Sequence, residues 1–185
     1  MKLATFTPGQ SSPLVTPEQA LLSVLGDRAV FSPCGTYRYL LTRELGGPRT
    51  VLFVMLNPST ADASADDPTL RRCIGFARAW GFGRVEVVNL FAYRATKPAD
   101  MLARLKAGED VVGPENDQHI VHAVERADRV VLGWGANAAR PQLRDRAASV
   151  AESLVRGSYQ TEPPLCLRVT KEGCPEHPLM IPGAG

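Results

Sequence analysis

The run Thr50-Val51-Leu52-Phe53-Val54-Met55-Leu56 constrains this chain more than any other segment. A strand with one face in water alternates apolar and polar residues. A strand that is apolar at almost every position needs cover on both faces, and such strands belong to parallel sheets held between helices. The run stops at Asn57-Pro58. Proline brings no N–H to a ladder and holds its predecessor extended, so the strand ends there and polar chemistry begins at a fixed point.

The flanking segments fit that frame. Residues 1–17 hold Pro8, Gly9, Ser11, Ser12, Pro13 and Pro17 and read as an N-terminal arm, with one domain expected over residues 18–185. Thr16-Pro17 opens a short helix that closes at Gly26. Ala29 to Phe31 and Tyr37 to Arg43 flank the turn Ser32-Pro33-Cys34-Gly35 and predict a hairpin. Asp67-Pro68 starts a helix with apolar residues at Leu70, Ile74 and Ala77, ending at Gly81. Arg84 to Phe91, Arg129 to Gly135 and Leu165 to Val169 predict further strands. Ala99 to Ala107, Asn116 to Ala127 and Gln142 to Val155 predict further helices. The expected fold is therefore α/β: a mostly parallel central sheet flanked by helices, a three-layer sandwich with an N-terminal β-hairpin.

Bulk properties remove several classes of function. A net charge of +2 over 185 residues does not announce a nucleic-acid binder, although a local basic face can still attract phosphate. Cys34, Cys73, Cys166 and Cys174 form no close pair of the zinc or redox type, and reduced thiols are expected. No metal or cofactor is assigned. No stretch approaches the roughly 20 apolar residues of a membrane helix, and the N-terminus has no apolar signal core, so a cytoplasmic location is expected.

In open parallel sheets, ligands bind at the carboxyl ends of the strands. That rule selects Asn57, Pro58, Ser59, Thr60 and Asp62 after the first buried strand. Asn57 offers a donor and an acceptor, and Asp62 is a base or a holder of water. The next strand leads to Asn89, Phe91, Tyr93 and Arg94, a set suited to a planar ligand with hydrogen-bonding edges. Phe91 in the core and Arg94 in solvent is the bland alternative. Gly133-Trp134-Gly135 then permits close approach, with the Gly135 amide facing the cleft or the whole segment forming a tight turn. Asp66-Asp67 complements a helix dipole or holds magnesium. Of the histidines, His177 in the terminal segment is the candidate to stabilise developing negative charge.

Five runs occur in order: Val54 to Asp62, Asp67-Pro68-Thr69, Asn89 to Arg94, Gly133-Trp134-Gly135 and Pro175-Glu176-His177-Pro178-Leu179. Together they resemble the bacterial family named domain of unknown function 1643, over about residues 30 to 182. A more distant similarity is to the α/β uracil-DNA glycosylase superfamily, whose layered fold is then implied here. That similarity implies an N-glycosylase-like enzyme acting on a nucleobase, nucleotide or DNA, with DNA repair as a setting. It implies catalytic roles for Asn57, Asp62 and His177, base reading by Asn89 and stacking by Phe91. The superfamily's late motif is longer than His177-Pro178-Leu179 and carries a serine and a leucine wedge. The alternative function is a non-catalytic binder of nucleotides or single-stranded nucleic acid, and a third is a metal-dependent phosphoesterase using Asp62, Asp66 and Asp67.

Overall fold

The computed structural model describes residues 28–59, 65–157 and 162–182. The expected N-terminal arm and the helix ending at Gly26 lie outside the described residues. Six strands form one sheet: β1 (Arg28–Phe31), β2 (Arg38–Glu44), β3 (Thr50–Met55), β4 (Arg84–Asn89), β5 (Arg129–Leu132) and β6 (Leu165–Cys166). The described helices are α1 (Pro68–Ala79), α2 (Pro98–Lys106), α3 (Asn116–Arg126) and α4 (Arg144–Arg156).

The spatial order is β1-β2-β4-β3-β5-β6. β3 pairs in parallel with β4 and β5, and β5 in parallel with β6, whereas β2 runs antiparallel to both β1 and β4. The α/β class holds, but the sheet is mixed rather than mostly parallel. The hairpin does not stand apart from the sheet. Its second strand docks directly on β4, with Leu41 opposite Val87 and Glu44 opposite Arg84.

Every residue of β3 is buried. Leu52 and Val54 enter an apolar cluster with Met101, Ile120, Val124, Val150 and Leu154, contributed by α2, α3 and α4. Val51, Phe53 and Met55 enter a second cluster with Leu70, Cys73, Ile74 and Ala77 of α1. The side-chain period of two thus sends alternate residues of one strand to helices on opposite faces. Burying each large apolar side chain is worth about 1.5–3 kcal/mol, which explains why the central strand carries no polar face.

This topology opens a crevice at one end of the sheet. The chain leaves β3 for α1 on one face, and it leaves β4 and β5 for helices on the other. Neighbouring strands whose connections diverge in this way leave a gap beyond their carboxyl ends.

Candidate functional site

The crevice is a cleft of about 520 Å³, within the roughly 300–1,000 Å³ usual for small-molecule sites. Three strand ends feed it. β3 supplies Met55 and the following Asn57 and Ser59, β4 supplies Asn89, and the segment after β5 supplies Trp134 and Gly135. The start of α1 adds Asp67 and Thr69, and the terminal segment adds Glu176 and His177.

Asn89 closes β4 at 1% exposure. Val85 and Val87 of the same strand lie in the cluster beneath α1, and strand alternation carries Asn89 onto that face. Its backbone is braced from the other side, where Asn116 Nδ2 donates to the Asn89 carbonyl at 3.0 Å and to the Leu90 carbonyl at 3.2 Å. The side-chain Nδ2 of Asn89 is buried and has no hydrogen-bond partner among the described residues. A buried donor left unpaired costs about 1–3 kcal/mol, so its place in a cleft wall asks for an acceptor from outside.

His177 lines the same cleft. Its Nδ1 accepts from the Leu179 N–H at 3.3 Å, which leaves the ring proton on Nε2. Burial holds the imidazole below its usual pKa, against the opposing pull of Asp67 and Glu176. The ring is therefore a neutral Nε2–H donor near pH 7.

Asp67 connects these groups to α1. One oxygen caps the helix by accepting the Leu70 N–H at 2.7 Å, and the other accepts the Ser59 hydroxyl. Its neighbour Asp66 pairs with Arg43 at 2.7 Å, so the adjacent carboxylates have separate duties. Among the described residues no three His, Cys, Asp or Glu side chains gather as a metal site.

A family model for a protein of unknown function, DUF1643, matches residues 38–179, which is most of the chain. The chain belongs to the DUF1643 family. No curated protein and no solved structure matches it. The DUF1643 match takes in every element from β2 to the His177-Pro178 turn, and so all the described cleft-lining residues but Met180.

The sequence-predicted residues of this DUF1643 chain divide into groups. Asn57, Ser59, Asn89, Gly135 and His177 line one cleft. Thr60 and Asp62 lie outside the described residues. Pro58 is buried behind the wall, where its carbonyl accepts the Ala95 N–H at 3.0 Å. Phe91 is 2% exposed and packs in the core on the opposite face, so it has no ring face to offer a ligand in the cleft. Tyr93 meets the Tyr37 ring edge-on, and Arg94 donates to the Gly35 carbonyl at 3.1 Å while lying over the Phe31 ring. Both belong to the hairpin junction rather than the cleft lining.

Besides Ser59, whose hydroxyl donates to Asp67, Asn57 and Gly135 also have their donors committed to other partners. Asn57 Nδ2 donates to the carbonyls of Ala95 at 2.9 Å and Pro58 at 3.1 Å, which ties the loop after β3 to the loop after β4. Only its Oδ1 is left to face a ligand or a water. The Gly135 N–H donates to the Pro175 carbonyl at 2.8 Å and not into the cleft. Gly135 has φ 77° and ψ 175°, and a Cβ there would lie 3.2 Å from His177 Cβ. A Cβ on Gly133 would lie 2.9 Å from Pro178 Cδ. These glycines give the terminal segment room to seat His177 against the strand ends.

Sequence reasoning missed Arg38, which lines the cleft at 4% exposure. Leu41 packs beneath α1, but Leu40 packs in the opposite cluster and Tyr39 stacks on His119 of α3. Two consecutive residues thus turn to the same face. Such an irregularity re-aims the side chains beyond it, and Arg38 turns into the cleft.

Proposed function

We propose that the cleft binds a nucleobase carried as an N-glycoside and cleaves the glycosidic bond. The observation that carries this reading is the buried, unpartnered Nδ2 of Asn89 in one cleft with the neutral Nε2–H of His177. Both are donors held by the surrounding fold, and both suit carbonyl oxygens on the edge of a planar heterocycle. A neutral imidazole fits a leaving group that departs as an anion, since it stabilises charge that develops only as the bond breaks. Helices on both faces of the sheet, with Asn57, Asn89 and His177 around one opening, support a likeness to the α/β uracil-DNA glycosylases. Nucleotides and single-stranded nucleic acid carry the same group and are the broader candidate ligands.

A second reading is a binder without turnover, and one observation favours it. The amide donors of Asn57 are spent on main-chain carbonyls, and an amide has no basic group to take a proton from water. The test is release of free base from uridine, inosine and oligonucleotides containing uracil or hypoxanthine. Release that falls steeply in Asn89→Leu and His177→Gln supports the enzyme. Saturable binding of the same compounds with no release supports the binder. Neither binding nor release removes both readings.

A further inference from the structure

We infer that Asp67 is the carboxylate that takes the proton from the attacking water. This rests on the reading of the cleft as an N-glycoside site and names a general base for it among the described residues. Asn57 cannot serve, because its amide is neutral and its donors are tied down. The described carboxylates on the cleft wall are Asp67 and Glu176. Glu176 is turned toward Arg168, with Nη2 to Oε2 at 3.3 Å. Asp67 sits at the mouth of α1, held by two hydrogen bonds that fix its orientation without using its capacity. A carboxylate accepts about four hydrogen bonds, and the Leu70 N–H and the Ser59 hydroxyl occupy two.

The cap alone would be an ordinary helix start. What marks it as part of a ligand site is the unpartnered Asn89 Nδ2 lining the same cleft, an independent sign that a ligand completes it. Asp67 also lies close enough to His177 for its charge to act on the imidazole. A base bound in this cleft would have a neutral donor in His177 and, in Asp67, a carboxylate that can hold water.

The step balances as follows. The water oxygen bonds to the anomeric carbon as the carbon–nitrogen bond breaks, and the bonding pair leaves with the base. Asp67 takes the proton lost by the water and later returns it to solvent. His177 Nε2–H holds the charge on the departing base until a base nitrogen gains a proton from solvent.

The informative variant is Asp67→Asn. Asparagine is as good an N-cap as aspartate, so α1 keeps its start while the carboxylate is lost. Asp67→Ser, also a good cap, is the second variant should the first fold poorly. Uridine, inosine and a uracil-containing single-stranded oligonucleotide are the probes. Wild-type release of base, with kcat lowered roughly 100-fold or more in Asp67→Asn at an unchanged KM and thermal midpoint, is the expected result. The imidazole of His177, followed by NMR, should titrate at lower pH in the variant, because a neighbouring negative charge is gone. Wild-type release with Asp67→Asn and Asp67→Ser within about threefold of it overturns the assignment of Asp67 alone. No release by the wild type from any probe overturns the glycoside reading and the role of Asp67 together.

Discussion

Replacing Gly135 with alanine should damage the site through the backbone rather than through a lost contact. Gly135 holds φ 77° and ψ 175°, a region that residues with a Cβ almost never occupy. Keeping that conformation with a side chain costs about 1–3 kcal/mol. The new Cβ would also lie 3.2 Å from His177 Cβ, so strain would be relieved by moving the histidine. Gly133→Ala is the companion variant. It has no positive φ, and its cost arises from a Cβ placed 2.9 Å from Pro178 Cδ and 3.3 Å from Met55 Sδ. Overpacking of this kind costs about 1–3 kcal/mol. Urea unfolding measures the loss of stability, and NMR of the imidazole reports whether His177 keeps its buried, neutral state. Both variants should lower the urea midpoint, and Gly135→Ala should bring the His177 titration back toward the ordinary value. An unfolding curve for Gly135→Ala within about 0.5 kcal/mol of wild type, with the His177 titration unmoved, would refute the argument that these glycines seat the terminal segment.

Asn89→Leu should abolish ligand binding without lowering the thermal midpoint, because it removes a buried donor that has no partner; a large loss of stability would show that the amide is structural. Arg126→Ala should cost about 2 kcal/mol by denaturant unfolding, since it removes the hydrogen-bonded partner of the 2%-exposed Glu86, whose carboxyl burial already pushes above its usual pKa, and leaves it only the nearby charge of Arg84; a loss under about 1 kcal/mol would contradict that. Burial holds His119 and His177 below the usual value of 6.5, so the unfolded chain binds protons first as pH falls. Stability should be full above about pH 6.5 and decline as pH drops below it, and His119→Gln or His177→Gln should each flatten the decline. Cys34 is exposed, and its thiol is lowered to about 7 by hydrogen bonds from Ser32 and Thr36, whereas burial pushes Cys73 up. Iodoacetamide at neutral pH should therefore label Cys34 first and leave Cys73 untouched in the folded protein, as read by peptide mass mapping.

The sequence made the meeting of Asn57 and Asn89 in one cleft legible for one reason. Apolar strands that end in polar residues, alternating with helices, must point those ends at a common edge. The same rule misplaced Phe91. Strand alternation puts residues 89 and 91 on one face, but β4 ends at Asn89, and Leu90 and Phe91 both pack in the opposite cluster. The mixed sheet was hidden because nothing local tells β2 that its neighbour is β4, a pairing made across about 40 residues of chain. Arg38 was hidden by the irregularity at Tyr39-Leu40, which alternation cannot foresee. Gly135 did signal a close approach, but the group that approaches is His177 rather than a ligand.

In a site of this kind Asn89 and His177 together receive one planar ligand. Titrating free uracil and hypoxanthine into ¹⁵N-labelled protein, while following the Asn89 side-chain amide and the His177 imidazole, measures this directly. Saturable shifts at both residues with one common affinity are expected. Shifts confined to other parts of the sheet, or none at either residue up to the solubility of the bases, would contradict it.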